Sequence, residues 1–133
     1  MKEPLDLARS WARKAESDLA AAQLAIQAGR ALDAACFHAQ QAAEKYLKAY
    51  LASRGTDFPF THNLARLVDV CSQDAAEFNE LLASAAELTP YAVELRYDDG
   101  FWPDTETAKS AYRSAIRIKT FVQERVPERG RSE

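Results

Sequence analysis

Two long amphipathic patterns, separated by one tight turn, constrain the fold of this 133-residue chain more than any other feature. Apolar residues recur at steps of three and four from Leu5 to Ala28, and again from about Ala31 to Ser53, which predicts two helices. Gly29 is well placed to end the first helix in a left-handed cap. Each helix would be roughly 35 Å long. Two helices of this length joined by so short a turn must lie antiparallel.

Three further helices are predicted after a break at residues 54–61. A short one runs from His62 to about Cys71, and a longer one keeps its apolar residues in phase from Phe78 to Leu95, with a kink or restart at Pro90. The last runs from Asp104 or Thr105 to about Arg125. These elements predict an all-α protein, an up-and-down four-helix bundle with one additional short helix.

Composition supports a single helical domain. Alanine supplies 26 residues, whereas valine and isoleucine together number 8 and glycine 4, so a sheet is disfavoured. We expect residues 1–126 to form one domain and residues 127–133 to be a disordered polar tail.

Charge and cysteine content limit the class of protein. There are 17 basic and 20 acidic residues, a net charge of −3, which disfavours free-standing nucleic-acid binding and leaves RNA possible only as a substrate. No apolar run approaches the ~18 residues of a membrane span, and residues 1–10 lack a signal-peptide pattern. Cys36 and Cys71 form no CxxC pair, which favours buried free thiols in the cytoplasm.

The second helix carries the most informative polar pattern. Gln41, Glu44, Lys45 and Lys48 lie at i, i+3, i+4 and i+7, which places them on one face. One interpretation is a solvated face with a surface ion pair between Glu44 and Lys48. The other is a positively biased strip that holds a phosphate or the acidic edge of a partner.

The small residues of the second helix and three aromatic residues in the loops also carry predictions. The small-residue series Ala35, Ala42 and Ala49 favours either tight packing within the chain or a self-association seam. Phe58 and Phe60 are expected to tuck under the end of the bundle, and Trp102 to plug it.

Three residues outside the second helix could also contact a ligand. His62 would cap a helix or pack near Phe58, or it would bind an anion or transfer a proton. Arg96 would form a helix-end salt bridge with Asp98 or Asp99, or it would bind a phosphate in a bidentate manner while Tyr97 offers a stacking face. The sequence has no Gly-rich phosphate loop, no HExxH, no GxSxG and no Cys/His cluster at metal spacing, so we expect no metal site.

Four blocks, taken in order along the chain, resemble a HEPN domain, the higher eukaryotes and prokaryotes nucleotide-binding domain. They are Trp11 with Ser17-Asp18-Leu19, then FHAQQAAEKYLKA at 37–49, then THNL at 61–64, then LRYDD at 95–99. The resemblance implies a helical bundle that is often a dimer. It also implies one of two roles: partner of a minimal nucleotidyltransferase in a two-component or toxin–antitoxin system, or metal-independent ribonuclease.

Ribonuclease members of this family carry an arginine followed, after a short spacer, by a histidine. Here Arg54 precedes His62 by seven intervening residues, Arg30 precedes His38 by seven, and no histidine follows Arg96. The spacing departs from the ribonuclease motif, so catalysis is left open, with His62 and Arg96 as the candidate catalytic residues.

We therefore expect a nucleotide-binding protein rather than an enzyme, a homodimer that docks a nucleotidyltransferase-type partner and needs no cofactor beyond a bound nucleotide. Its ligand would lie in a groove lined by Gln41, Lys45, Lys48, His62, Arg96 and Tyr97. A non-catalytic dimeric adaptor is the remaining alternative.

Overall fold

Residues 3–127, which this computed structural model describes, form five α-helices and no strand. The helices are α1 (Pro4–Ala28), α2 (Leu32–Ser53), α3 (Leu64–Asp74), α4 (Leu82–Leu88) and α5 (Thr105–Gln123). The prediction of an all-α bundle is confirmed. None of these helices is long and apolar enough to cross a membrane. The predicted polar tail lies, after Pro127, outside the described residues.

The turn between α1 and α2 is built as the sequence predicts. Gly29 has φ 68°, and its N–H donates to the Ile26 carbonyl at 3.1 Å while the Arg30 N–H donates to the Ala25 carbonyl at 3.2 Å. This pair of bonds is a Schellman cap, which satisfies carbonyls that the helix end leaves free. Ala31 also lies in the left-handed region, with φ 54°. The chain thereby reverses within three residues, and α2 packs along α1.

Helix α2 is the centre of the bundle and contacts α1, α3, α4 and α5. It is buried on nearly all sides because its alanines let the neighbouring helices approach closely. Ala35, Ala42 and Ala49 are all buried within the chain, so tight internal packing explains this series. Three polar residues of α2, Gln40, Glu44 and Lys48, are therefore buried among other elements rather than exposed to water.

Side-chain caps begin the two helices that follow loops. Asn63 Oδ1 accepts from the Arg66 N–H at 3.3 Å at the start of α3. This helix begins at Leu64, two residues after the predicted first residue, His62. Asp104 Oδ1 accepts from the Thr107 N–H at 2.8 Å at the start of α5, as expected.

The predicted fourth helix is divided into three elements, and the interruption expected at Pro90 is confirmed. The chain instead forms a 3-10 helix at Ala76–Leu81, the seven-residue α4, and a second 3-10 helix at Thr89–Tyr91. Pro90 has no N–H to donate, which interrupts the α-helical bonding there. Asp74 is the last residue of α3 and accepts from the Tyr50 hydroxyl.

The ends of the bundle also differ from expectation. Trp102 is 74% exposed and Phe60 is fully exposed, so neither plugs the core. Tyr91 and Phe101 stack at 5.6 Å near Trp102 instead. Phe58 does pack as predicted, with its ring edge-on to Trp11 at 6.1 Å.

Both cysteines are free and buried, as the sequence predicts. Burial raises the pKa of the Cys36 thiol and of the Cys71 thiol to about 12. Because the thiolate is the reactive form, neither residue is a nucleophile at neutral pH.

Candidate functional site

The polar residues of α2 surround a buried carboxylate rather than facing water. Glu44 is 3% exposed, and its Oε2 lies 2.9 Å from Lys48 Nζ. Its Oε1 accepts from His62 Nδ1 at 2.9 Å and from Gln40 Nε2 at 3.2 Å. The interpretation of Glu44 and Lys48 as a solvated surface pair is therefore wrong.

The protonation of Glu44 follows from these contacts. Burial by itself would raise the pKa of Glu44, but the hydrogen bonds from Lys48, His62 and Gln40 outweigh burial and hold the pKa below its usual value. An ionised carboxylate only accepts, so Nδ1 of His62 carries the proton in this bond. Nε2 of His62 is thereby left for another partner, on a side chain that is half exposed.

Lys48 is enclosed by aromatic rings as well as by Glu44. Its Nζ lies 5.3 Å from the Trp11 ring centroid and 5.8 Å from that of Phe58. The Lys48 ammonium is therefore already partnered by the carboxylate and by the two rings. It neutralises Glu44 and holds α1 and the loop after α2 together.

A second buried carboxylate lies on the opposite edge of the same α2 face. Asp18 of α1 accepts from Lys45 Nζ at 2.6 Å and from His38 Nδ1 at 2.8 Å. His38 and Lys45 are seven residues apart, so α2 presents both toward α1. As with His62, the carboxylate holds the Nδ1 proton of His38 and leaves Nε2 outward.

Arg96 and Tyr97 reach α2 from the turns that follow the second 3-10 helix. The Arg96 guanidinium lies 4.1 Å from the Phe37 ring centroid and 5.4 Å from that of Tyr97. No carboxylate of residues 3–127 pairs with it, so the expected salt bridge to Asp98 or Asp99 does not form; Asp98 caps the Gly100 N–H at 2.8 Å instead. Arg96 is exposed, and Tyr97 is 82% exposed.

The structure leaves the six predicted site residues in two groups. Arg96 contacts Phe37 of α2 and the neighbouring Tyr97. Phe37 lies one helical turn before Gln41, and Lys45 lies one turn after it. Gln41 Nε2 donates to Gln40 Oε1 at 2.7 Å, and Gln40 in turn donates to the His62 carbonyl at 3.1 Å. Within the described residues no hydrogen bond or ion pair joins His62 to Arg96.

A family model for the HEPN domain matches residues 8–126, nearly the whole chain. The chain belongs to the HEPN domain family. The α2 face of this HEPN protein comprises Phe37, His38, Gln41 and Lys45 of α2 together with His62, Arg96 and Tyr97.

Two solved structures have the same fold. TT1696 from Thermus thermophilus is 31% identical, with a TM-score of 0.78 over 88% of this chain and 96% of that one. ST0689, described as an archaeal HEPN homologue, is 27% identical, with a TM-score of 0.74 over 96% of this chain and all of that one. No curated protein matches significantly.

Sequence reasoning missed two residues of this HEPN site as contributors, Asp18 and His38. Both stand in blocks that carry the family resemblance, and the seven-residue step from His38 to Lys45 was the available signal. It was overlooked because the buried partner, Asp18, comes from α1, 27 positions before Lys45.

The electrostatics of the α2 face are asymmetric. The carboxylates of Asp18 and Glu44 lie buried behind it, and each is matched by a lysine and an imidazole. In front, Arg96 is a cation without a carboxylate partner in the described part of the chain. No group of three His, Cys, Asp or Glu residues within 3–127 is arranged to hold a metal ion.

Three concavities on the described surface have volumes of about 520, 300 and 220 Å³. They are lined by other residues, and none of the three includes any of the predicted six.

Proposed function

We propose that this HEPN protein binds a nucleotide on the α2 face and serves as the cytoplasmic partner of a minimal nucleotidyltransferase in a two-component or toxin–antitoxin system. The observation that supports this most directly is the position of Arg96. It brings a guanidinium without a carboxylate partner onto α2, beside an exposed aromatic ring.

Each group on this face suits one part of a nucleotide. Arg96 presents a planar fork of donors for a phosphate, and its contact with Phe37 pre-orients that fork. The outward Nε2 of His62 and the partly exposed Gln41 amide offer further polar contacts one to two turns along the helix. Tyr97 offers a face on which a base can stack. Lys45 and Lys48 contribute positive potential rather than direct contacts, because their ammonium groups are bound to carboxylates.

Calorimetric titration of ATP into the wild type and into Arg96→Gln tests the site. We expect binding by the wild type and at least about tenfold weaker binding by the variant, since a hydrogen bond to a charged group contributes about 1.5–3 kcal/mol. Arg117→Gln is the matched control: Arg117 is exposed on α5 and has no carboxylate partner among the described residues. Equal affinity for all three proteins, or no binding by any, would remove the nucleotide site.

The partner role needs a separate measurement. If the neighbouring coding sequence encodes a small nucleotidyltransferase, co-expression and purification should yield a complex, and sedimentation of the HEPN protein alone should give a dimer. A neighbouring gene of another class, or a nucleotidyltransferase that does not co-purify, would argue against the two-component role.

A metal-independent ribonuclease is the second candidate, and a specific contact favours it. His38 is oriented by Asp18 through Nδ1 at 2.8 Å, and its ring lies 5.3 Å from the Phe37 ring on which Arg96 stacks. In this mechanism His38 Nε2 accepts the proton of a ribose 2′-hydroxyl as its oxygen attacks the adjacent phosphorus. The bond from phosphorus to the 5′-oxygen breaks, the departing oxygen takes a proton from water, and Arg96 stabilises the charge on the phosphate. His62, the histidine predicted from sequence, is held by Glu44 and has no contact with Arg96 in the described residues.

The two histidines separate the candidates. If the protein is a ribonuclease of this kind, RNA cleavage and growth arrest on expression should be abolished by His38→Ala and largely kept by His62→Ala. Absence of cleavage by the wild type, or cleavage that survives both substitutions, would leave the nucleotide-binding role alone.

A further inference from the structure

A cavity outside the α2 face lies in the seam between α1 and α5, with α2 as its floor. Its volume is about 520 Å³, within the range of small-molecule sites. Its walls are apolar and small: Ala8 and Ala12 of α1, Ala49 of α2, and Val122 and Val126 at the end of α5. The cavity exists because α1 contributes alanines to a seam that larger side chains would close.

Two arginines lie on the rim of this cavity, and neither is fully partnered. Arg9 donates from Nη1 to Asp6 at 3.1 Å, but its Nε is buried without an acceptor, the only such side-chain atom among the described residues. Arg13 donates to Ser10 Oγ at 3.3 Å and has no carboxylate partner in the described chain. Buried polar groups are nearly always hydrogen-bonded, so the Arg9 Nε indicates a missing acceptor.

The acidic residue on the same rim does not supply this acceptor. Glu16 accepts from the Tyr46 hydroxyl and pairs with Lys119 Nζ at 3.0 Å, so its carboxylate is already bound by other groups. The cavity therefore combines an apolar interior with a cationic entrance.

We infer that this cavity binds a slender apolar molecule that ends in a carboxylate, such as a medium-chain fatty acid. The apolar chain would cover the alanine and valine walls. The carboxylate would then engage the guanidinium of Arg9, whose side chain must turn to present its Nε, together with that of Arg13. This ligand is distinct from the nucleotide, because no residue of the α2 face lines the cavity.

Two other occupants fit the cavity less well. A helix from a partner protein is about 10–12 Å across with its side chains, too thick to enter a space of about 520 Å³. Residues 128–133 follow directly from Pro127 on the rim, but four of these six residues are charged and none is aliphatic or aromatic.

The test compares decanoate with decanol, each below its solubility or micelle limit, by calorimetry on the full-length protein. We expect decanoate to bind with a Kd below about 1 mM, and decanol to bind at least about tenfold more weakly because it lacks the charge. Failure of decanoate to bind, or equal binding of the two, would overturn the inference.

Two variants with matched controls locate the site. Ala12→Leu fills the cavity and should abolish decanoate binding, whereas Ala20→Leu, at an exposed position of the same helix, should not. Arg9→Gln should lower the affinity for decanoate to that for decanol, while Arg113→Gln on α5 leaves it unchanged. Circular dichroism checks the fold of each variant. If Ala12→Leu unfolds, the comparison of Arg9→Gln with Arg113→Gln decides the outcome. Decanoate binding that survives both Ala12→Leu and Arg9→Gln would place the ligand elsewhere and refute the proposal.

Discussion

The hairpin of α1 and α2 and the irregular segment at residues 75–104 bury their apolar residues equally well but organise their backbones differently. In the hairpin, 25 and 22 residues run without interruption. In the irregular segment, α4 has only seven residues and is flanked by 3-10 helices. Yet Phe78, Leu81 and Leu88 of that segment are as buried as Leu47 of α2.

The difference shows that side-chain spacing and helix continuity are separate properties. A 3-10 helix places i and i+3 on the same side, so Phe78 and Leu81 still face the core together. Continuity instead depends on backbone donors, and Pro90 removes one. The hairpin further differs in holding buried ion pairs, whereas in the irregular segment the carboxylate of Glu87 is bound by neutral serine hydroxyls. Four predictions test this contrast.

The first prediction compares a buried ion pair of the hairpin with hydrogen bonds between a carboxylate and neutral hydroxyls. Glu44→Ala leaves the Lys48 ammonium enclosed without its carboxylate, and loss of one member of a buried pair costs about 3–5 kcal/mol. Glu87→Ala, in the irregular segment, removes the carboxylate acceptor of the Ser110 and Ser114 hydroxyls, each at 2.6 Å, and should cost about 1.5–3 kcal/mol. Urea unfolding followed by circular dichroism measures both.

Equal losses for Glu44→Ala and Glu87→Ala would show that the hairpin has no special dependence on buried charge. Glu44→Gln supplies the matched control, since its amide keeps the shape and can accept one hydrogen bond. It should be less destabilised than Glu44→Ala.

The second prediction concerns burial without charge. Leu47→Ala in α2 and Leu88→Ala in α4 both remove a fully buried side chain, and each should lower the free energy of unfolding by about 2–5 kcal/mol. Similar values would show that the irregular segment is held as firmly as the hairpin by its side chains. A loss below about 1 kcal/mol for Leu88→Ala, measured in the same urea assay, would mean that this segment relaxes into the vacated space.

Most of the fold could be predicted from the sequence, because the periodic apolar residues report which side of a helix is buried. The positions of α1, α2 and α5 and the left-handed cap at Gly29 followed from spacing and residue type. The interruption at Pro90 followed from the missing N–H of proline, but the 3-10 helix at Ala76–Leu81 did not, since its apolar residues keep the spacing of an α-helix. The exposure of Trp102 could not be predicted from the sequence either, because it depends on the stacking of Tyr91 and Phe101 on each other nearby.

The candidate site was predictable only in part. Spacing placed Gln41, Lys45 and Lys48 on one face and indicated the pair of Glu44 with Lys48, but it could not reveal that this pair is buried or that Asp18 binds Lys45. Burial of the pair and the contact of Asp18 with Lys45 depend on other elements of the bundle, and a helical period contains no information about those. The stacking of Arg96 on Phe37 is of the same kind, since it joins residues 59 positions apart.

The third prediction is a pH dependence that belongs to the hairpin. The folded pKa of Glu44 lies below its ordinary value of 4.5, because the bonds from Lys48, His62 and Gln40 outweigh burial. The stability that Glu44 contributes is therefore fully present above about pH 4.5 and is lost as the pH falls through the lowered folded pKa. Unfolding free energies of the wild type and Glu44→Gln should converge on acidification. A constant difference between them from pH 7 to pH 3 would contradict this assignment.

The fourth and smallest effect is expected at Trp102, in the irregular segment. A tryptophan that plugs a core costs about 3–5 kcal/mol when truncated, whereas an exposed one costs less than about 0.5 kcal/mol. Trp102 is 74% exposed, so Trp102→Ser should leave the urea midpoint almost unchanged. Phe101→Ser is the control, because Phe101 stacks on the buried Tyr91 at 5.6 Å and its loss should lower the midpoint clearly. A larger loss for Trp102→Ser than for Phe101→Ser would reverse their roles and make the tryptophan the residue that closes this end of the bundle.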